Sequence, residues 1–253
     1  MKSQERQQTI LQVLNARGKL TIADVSARFA VSEMTIRRDL AQLEGDGLLR
    51  RTHGGAVRTL SGSFEPPFAL RSRLNLDAKR AIAAVVAEEI TDGQTLILDG
   101  GSTGTVIAEA LVGRNVTVCA LNLRVAQILA SSAETTVMVP GGQVRHGEQS
   151  FVGPAAERTL GDHRFDTYIM TASAIDAVAG LTEWNVDDAA VKRASLASAA
   201  RCIVACDSSK FGQTAFARIA GLDQVDLIIS DTDLEAEHRQ ALHCAGPALL
   251  RLA

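Results

Sequence analysis

Three apolar stripes at helical spacing open the chain. Ile10, Val13 and Leu14 form the first within residues 4–16, Ile22, Val25 and Phe29 the second within residues 21–29, and Ile36, Leu40 and Leu43 the third, which follows Ser32. Thr21 starts the second helix, and Ser32 is placed as an N-cap whose hydroxyl accepts from the unpaired N–H groups of the first turn. Ala30 and Val31 leave just enough chain for the turn of a helix-turn-helix. Residues 48–57 then set apolar and basic runs around Gly54-Gly55, which predicts a β-hairpin wing.

Past residue 75 the pattern changes. Helical stretches at 77–90, 105–111 and 123–131 alternate with short apolar runs at 95–98, 116–120 and 136–139. Further strands are expected at 167–170, 201–205 and 227–230, with a long helix at 187–200. Such alternation predicts an α/β fold with a mainly parallel sheet. Between the two patterns, residues 59–75 hold Ser61, Gly62, Ser63 and the pair Pro66-Pro67, which cannot continue a helix or a central strand. The expected organisation is a small winged helix-turn-helix domain over 1–58, a linker over 59–75 and an α/β domain over 76–253.

Charge separates the two parts. Residues 1–58 carry a balance of +4 and the remainder −7, giving −3 for the whole chain. A basic head on an acidic body suits a protein that meets double-stranded DNA with one end only. The outward face of the third helix presents Met34, Thr35, Arg37 and Arg38, short groups able to reach base edges beside guanidiniums able to pair with phosphate or guanine. Arg50, Arg51 and His53 of the wing are expected along the backbone, and Thr21 and Ser32 complete the candidate DNA-contacting set.

No stretch approaches about 20 uninterrupted apolar residues and no leader pattern follows the N-terminal charges, so a cytoplasmic protein without a membrane partner is expected. Cys119, Cys202, Cys206 and Cys244 form no Cys-x-x-Cys pair, and the five histidines are scattered. Buried free thiols are therefore expected rather than metal ligands, with no cofactor.

In the body, the run 95–98 leads into Asp99-Gly100-Gly101-Ser102-Thr103-Gly104 and then a helix. Flexible backbone, two hydroxyls and a helix N-terminus at the end of a strand make an anion cradle. Other junctions carry Asn122, Gly141-Gly142-x-x-Arg145, the segment Thr182-Glu183-Trp184-Asn185 and Asp207-Ser208-Ser209-Lys210. Ligands in open α/β sheets collect at such strand ends. Arg145, Lys192 and Lys210 are candidates to neutralise a phosphate, Asp99 and Asp207 to accept from sugar hydroxyls, and Trp184 to stack on a sugar ring or to plug the core.

Taken together, Arg6, Ile10, Leu14, Ser32-x-x-Thr35-Ile36-Arg37-Arg38-Asp39-Leu40 and Arg51-x-His53-Gly54-Gly55-Ala56 resemble the DeoR family of bacterial transcription regulators. The likeness continues through Leu98-Asp99-x-Gly101-Ser102-Thr103, Gly141-Gly142-x-x-Arg145, Val152-Gly153, Gly180-Leu181-Thr182, Val191-Lys192-Arg193 and Asp207-Ser208-Ser209-Lys210-Phe211-Gly212. It implies a sensor domain similar in fold to ribose-5-phosphate isomerase and to glucosamine-6-phosphate deaminase. It also implies a phosphorylated sugar or polyol as effector, release of DNA as the response, and a homodimer or homotetramer repressing a carbohydrate operon. Two departures stand out. Ala120-Leu121-Asn122 replaces the family's Thr-Asn-Ser, displacing the asparagine by one position, and Thr171 and Ala174 occupy positions where glycines are usual.

Two enzyme readings compete. Gly100-x-Ser102-x-Gly104 satisfies a nucleophile-elbow pattern, but His146, His163, His238 and His243 adjoin no persuasive strand end. A sugar-phosphate isomerase would need a carboxylate to move a proton, for which Lys192 with Asp187 or Asp188 is the candidate pair. A DNA-binding head serves neither chemistry, so an enzyme is not expected.

Overall fold

The computed structural model describes residues 3–58, 65–246 and 248–253. The chain divides into two compact units, residues 1–67 and 68–253. Positions 59–64 of the expected linker lie outside the described residues.

The first unit contains α1 (Ser3–Arg17), β1 (Lys19–Thr21), α2 (Ile22–Phe29), α3 (Glu33–Gly45), β2 (Leu49–Thr52) and β3 (Gly55–Arg58). The three stripes meet in one core, where Ile10, Leu14, Ile22, Val25, Ile36, Leu40 and Leu43 are buried beside Leu20, Leu49 and Ala56. The wing is a three-stranded sheet rather than a plain hairpin, because β1 pairs antiparallel with β3. An ion pair pins α1 to α3: Arg6 donates from Nε to Asp39 at 2.5 Å and from Nη2 at 3.1 Å, with both side chains buried.

The second unit opens with α4 (Phe68–Arg71) and α5 (Leu76–Glu88). β4 (Thr95–Leu98), α6 (Gly101–Leu111), β5 (Thr117–Ala120), α7 (Leu123–Leu129) and β6 (Thr136–Met138) follow in alternation. After them come β7 (Gln143–Val144), β8 (Phe151–Val152), α8 (Pro154–Gly161), β9 (Phe165–Met170), β10 (Ala174–Asp176), β11 (Gly180–Glu183) and α9 (Val186–Ser198). The chain ends with β12 (Ala199–Ala205), β13 (Ala217–Ala220), β14 (Leu227–Ser230), α10 (Ala236–Ala245) and β15 (Leu249–Leu252).

Seven strands form one sheet in the order β15-β14-β12-β9-β4-β5-β6, parallel at every pairing. Its strands read as unbroken apolar runs because both faces are covered. Leu96, Leu98, Val118, Ile169, Ile203 and Ile229 point toward α5, α6 and α7 in one core. Ile97, Cys119, Tyr168, Cys202, Val204 and Ile228 point into the other, which includes Leu160 of α8 and Val191 of α9. The chain winds outward from β4 through β5 to β6, then returns to β9 and winds the other way. The reversal therefore lies between β4 and β9, the place where such sheets open a crevice at their carboxyl ends.

Several elements depart from the pattern reading. α6 begins at Gly101, not at 105, because Gly101 takes φ +75° and draws Ser102 and Thr103 into the first turn. The glycine-rich stretch after β6 enters a small antiparallel hairpin, β7 with β8, and β10, β11 and β13 build a second antiparallel sheet. These strands run two to four residues, too short to show a period. Three thiols are buried as expected, but Cys244 is exposed.

Arg6→Ala removes the countercharge of a buried carboxylate, and we expect it to destabilise the head by about 3 kcal/mol. Chemical denaturation of the full chain measures this; a loss within about 0.5 kcal/mol would mean that Asp39 does not depend on Arg6.

Candidate functional site

In the head, Ser32 accepts from the Thr35 N–H at 3.2 Å and its hydroxyl lies 2.9 Å from that of Thr35, so the cap holds the start of α3. Thr21 caps α2 by accepting from the Asp24 N–H. Met34 is 61% exposed, and Arg37, Arg38, Arg50 and His53 are exposed with it. Arg38 makes no ion pair or hydrogen bond among the described residues, whereas Arg37 reaches Glu33 at 3.4 Å. Arg51 was expected along the phosphate backbone; it is instead tied to Glu44, with Nε at 2.6 Å and the backbone N–H at 2.8 Å, which clamps the wing onto α3. A groove of about 370 Å³ between α3 and the wing is lined by Arg37, Glu44, Arg51 and His53.

The body has a charged centre at the reversal point. Lys192, buried on α9, reaches Asp99 at 2.9 Å, Glu183 at 2.6 Å and the Thr171 carbonyl at 2.7 Å. Burial opposes its charge, but the two carboxylates outweigh that and raise its pKa. Burial likewise works against Glu183, yet Lys192 and Ser173 hold its carboxyl below the usual range. Asp99 is consumed by the same network, taking the Gly100 N–H at 2.7 Å and the Thr171 N–H at 3.0 Å. Lys192 is thus no free cation for a phosphate, and Asp99 is no free acceptor for a sugar hydroxyl, contrary to expectation. The carboxylates paired with Lys192 are Asp99 and Glu183; Asp187 is exposed, and Asp188, one turn before Lys192 on α9, is paired with Arg145.

Arg145 also carries its own counterion. Its Nη2 lies 2.6 Å from Asp188, which further accepts from Ser150 at 2.6 Å, so the β7–β8 hairpin is fastened to α9. Burial pushes the Asp188 carboxyl up despite these partners. Gly141 and Gly142 turn the chain into the hairpin, and a Cβ at Gly142 would meet the Val152 carbonyl oxygen at 2.5 Å. Asn122 is fully buried with both ends of its amide engaged, donating to the Glu148 carbonyl at 2.8 Å and accepting from the Arg124 N–H at 2.8 Å. Ser102 and Thr103 are buried in the first turn of α6.

Around the N-terminus of α6 stand groups that the pattern reading did not mark. A Cβ at Gly101 would lie 3.6–3.8 Å from Arg71 Nη1, Thr171 Oγ1 and Glu148 Oε1. Arg71 pairs with Glu148, and its guanidinium carbon lies 5.4 Å from the centre of the Trp184 ring. The Lys210 ammonium lies 5.0 Å from the same ring, so Trp184 is flanked by two cations. Asp207 takes hydrogen bonds from Asn75 at 2.8 Å and from the Ser209 N–H at 3.2 Å, so it too is engaged. Lys79 donates to the carbonyls of Arg71 at 2.5 Å and Leu74 at 2.6 Å, fixing the turn between α4 and α5. Burial pushes Lys79 down to about 8, against the pull of Asp207.

Residues 6–61 match the model of the DeoR-like helix-turn-helix domain and residues 74–232 that of the DeoR C terminal sensor domain. The chain belongs to the DeoR family. The HTH-type transcriptional regulator GlpR of Haloferax volcanii is 32% identical over 96% of this chain and 95% of that protein. The putative aga operon transcriptional repressor of Escherichia coli O157:H7 is 35% identical over 96% of this chain and 91% of its own length. The glycerol-3-phosphate regulon repressor of Escherichia coli K12 is 31% identical over 91% and 92%. Among solved structures, ribose 5-phosphate isomerase A of Methanocaldococcus jannaschii aligns with 54% of this chain and 55% of its own at 17% identity and TM-score 0.41.

Relatives of this DeoR-family chain are named as transcriptional regulators rather than enzymes. Among the described residues, no helix is long and apolar enough to cross a membrane and no cluster of metal-ligating side chains occurs. Arg71, Asn75 and Lys79 had fallen in or beside the stretch read as linker and helix. Arg71 closes α4, Asn75 is the left-handed residue before α5 and Lys79 lies in the first turn of α5, so no single helical period in the sequence marks the three together.

Lys79 gives a pH prediction. Its folded pKa near 8 lies below its unfolded value of 10.5, so the unfolded chain binds more protons between these limits and stability gains a contribution that rises with pH through that window. Below pH 8 the full penalty of holding the charge remains. Comparing melts of wild type and Lys79→Met from pH 7 to 9 should show wild type gaining on the variant; a constant difference would mean that Lys79 is not desolvated.

Proposed function

We propose that this DeoR-family chain is a cytoplasmic repressor of a carbohydrate or polyol operon, relieved when a phosphorylated sugar binds at the carboxyl ends of β4 and β9. The observation that carries this reading is the pair Arg71 and Lys210, brought from distant parts of the body to 5.4 and 5.0 Å from the Trp184 ring centre, with Arg71 beside the first turn of α6. Two cations and unpaired helix N–H groups suit a dianion, and an indole suits the apolar face of a sugar. Arg145, Lys192, Asp99, Asp207 and Asn122 then act mainly by holding the loops around Gly101, Ser102, Thr103, Gly141 and Gly142 in position, since their charges and amides are already matched. The names of the aga and glycerol-3-phosphate repressors support an operon of this kind.

The DNA partner is a repeated double-stranded operator read by the heads of a homodimer or homotetramer. Met34, Thr35, Arg37 and Arg38 enter the major groove, and Thr21, Ser32, Arg50 and His53 stand at its edge and along the backbone, while Arg51, tied to Glu44, holds the wing in place. A ligand weakens this binding only by favouring a state whose heads no longer match the half-sites.

Fluorescence anisotropy with the DNA upstream of the protein's own gene tests both halves. Arg38→Ala is expected to cost about 1–3 kcal/mol if Arg38 reads a base, or to lower the salt slope by about one if it holds a phosphate. Unchanged affinity and slope would remove α3 from the groove. In the same assay, one of glycerol 3-phosphate, fructose 6-phosphate or a related phosphate should release the DNA while its unphosphorylated counterpart does not. Equal potency of the two would reject a phosphate site.

A further inference from the structure

The residue at the centre of the proposed effector site is also the last residue of the first helix after the segment that leaves the head. Arg71 closes α4, which begins ten residues after the end of β3. Its guanidinium is held by Glu148 and stands over Trp184, while its carbonyl is held by Lys79. Glu148 sits in the loop of the β7–β8 hairpin, whose backbone is gripped by Asn122 and Arg124. Arg124 in turn lies 3.9 Å from the ring centre of Phe68, the first residue of α4. Both ends of this four-residue helix are thus tied to the rim of one site.

Charges at this site are matched without a ligand: Lys192 with Asp99 and Glu183, Arg145 with Asp188, Arg71 with Glu148. A dianion adds negative charge at a balanced centre, so it gains most where it replaces a carboxylate already in place. Glu148 is the carboxylate that faces Gly101 beside Arg71. Resting on the sugar-phosphate reading above, we propose that Arg71 is the coupling residue of the sensor, exchanging Glu148 for the effector's phosphate and so repositioning α4 at the root of the segment leading to the head. In the free protein Arg71 is bound to Glu148 and α4 is held by the hairpin. In the occupied protein Arg71 is bound to the phosphate, and the hairpin loop loses its hold on α4. The bidentate fork of an arginine fits both partners, whereas a lysine supplies the charge without the fork.

The sole tryptophan makes the test direct, because Trp184 emission reads occupancy of the site and DNA anisotropy reads the response of the head. Full-length wild type, Arg71→Lys and Glu148→Gln are titrated with glycerol 3-phosphate, fructose 6-phosphate and inorganic phosphate, with and without operator DNA. In wild type, the phosphate that shifts Trp184 emission should weaken DNA binding by roughly 5–150-fold. Arg71→Lys should still show the Trp184 shift at raised ligand concentration, but with the ratio of DNA affinities falling toward one. Glu148→Gln should weaken DNA binding before any ligand is added and leave a smaller ratio. If Arg71→Lys binds the phosphate and releases DNA with the wild-type ratio, or Glu148→Gln behaves as wild type, coupling through Arg71 is wrong while the sugar-phosphate reading stands. If no phosphate moves Trp184 or DNA in wild type, the sugar-phosphate reading itself fails and the coupling with it.

Discussion

The body is organised around one buried ammonium. Lys192 is buried, and a lone charge there would cost several kcal/mol, so it must collect acceptors from whatever packs against α9. It finds three: Asp99 from the end of β4, the Thr171 carbonyl from the end of β9 and Glu183 from the end of β11. Those partners span the point where the parallel sheet reverses and join it to the small antiparallel sheet. Satisfying Lys192 therefore fixes the relative placement of the loops that follow these strands. Trp184 is the residue after Glu183, and Gly101 lies two after Asp99, so the same constraint sets the distance between the indole and the first turn of α6.

With Lys192, Asp99 and Glu183 matched among themselves, the cations at the edge of this centre are Arg71, itself paired with Glu148, and Lys210. Arg71 and Lys210 approach Trp184 from the beginning and the later part of the body. The head repeats the scheme on a smaller scale: Asp39, in the middle of α3, is turned inward and matched by Arg6, while Arg38 beside it is exposed and makes no ion pair among the described residues. In both units a buried ion pair fixes the backbone beside less buried charged groups.

Much of this organisation was legible along the chain. Helical spacing located the three head helices, and apolar runs located the central strands β4, β5, β9, β12 and β14, because period and hydrophobicity are local properties. The motif around Asp99 and the lysine at 192 were visible as candidates. Their partners were not, since Asp99 and Glu183 meet Lys192 only once the sheet has formed. Reading Lys192 and Arg145 as phosphate binders follows naturally from sequence, which does not show that each is already paired with carboxylates. Arg71 was hidden differently: it lies four residues after Pro66-Pro67, in a helix of a single turn that shows no period. Asn122 stood out in the sequence as a strand-end candidate, but its burial and the use of its amide on Glu148 and Arg124 depend on contacts that sequence does not show.

The central claim is that occupancy of the body and binding of DNA by the head are one coupled equilibrium. Linkage requires the coupling to be reciprocal: if a sugar phosphate weakens DNA binding by some factor, DNA must weaken the sugar phosphate by the same factor. The affinity of the active phosphate, read from Trp184 emission with and without saturating operator, tests this most directly. Equal factors from the two directions are the expected result. A ligand affinity that DNA leaves unchanged would contradict it, and would mean that the site on β4 and β9 does not speak to the head.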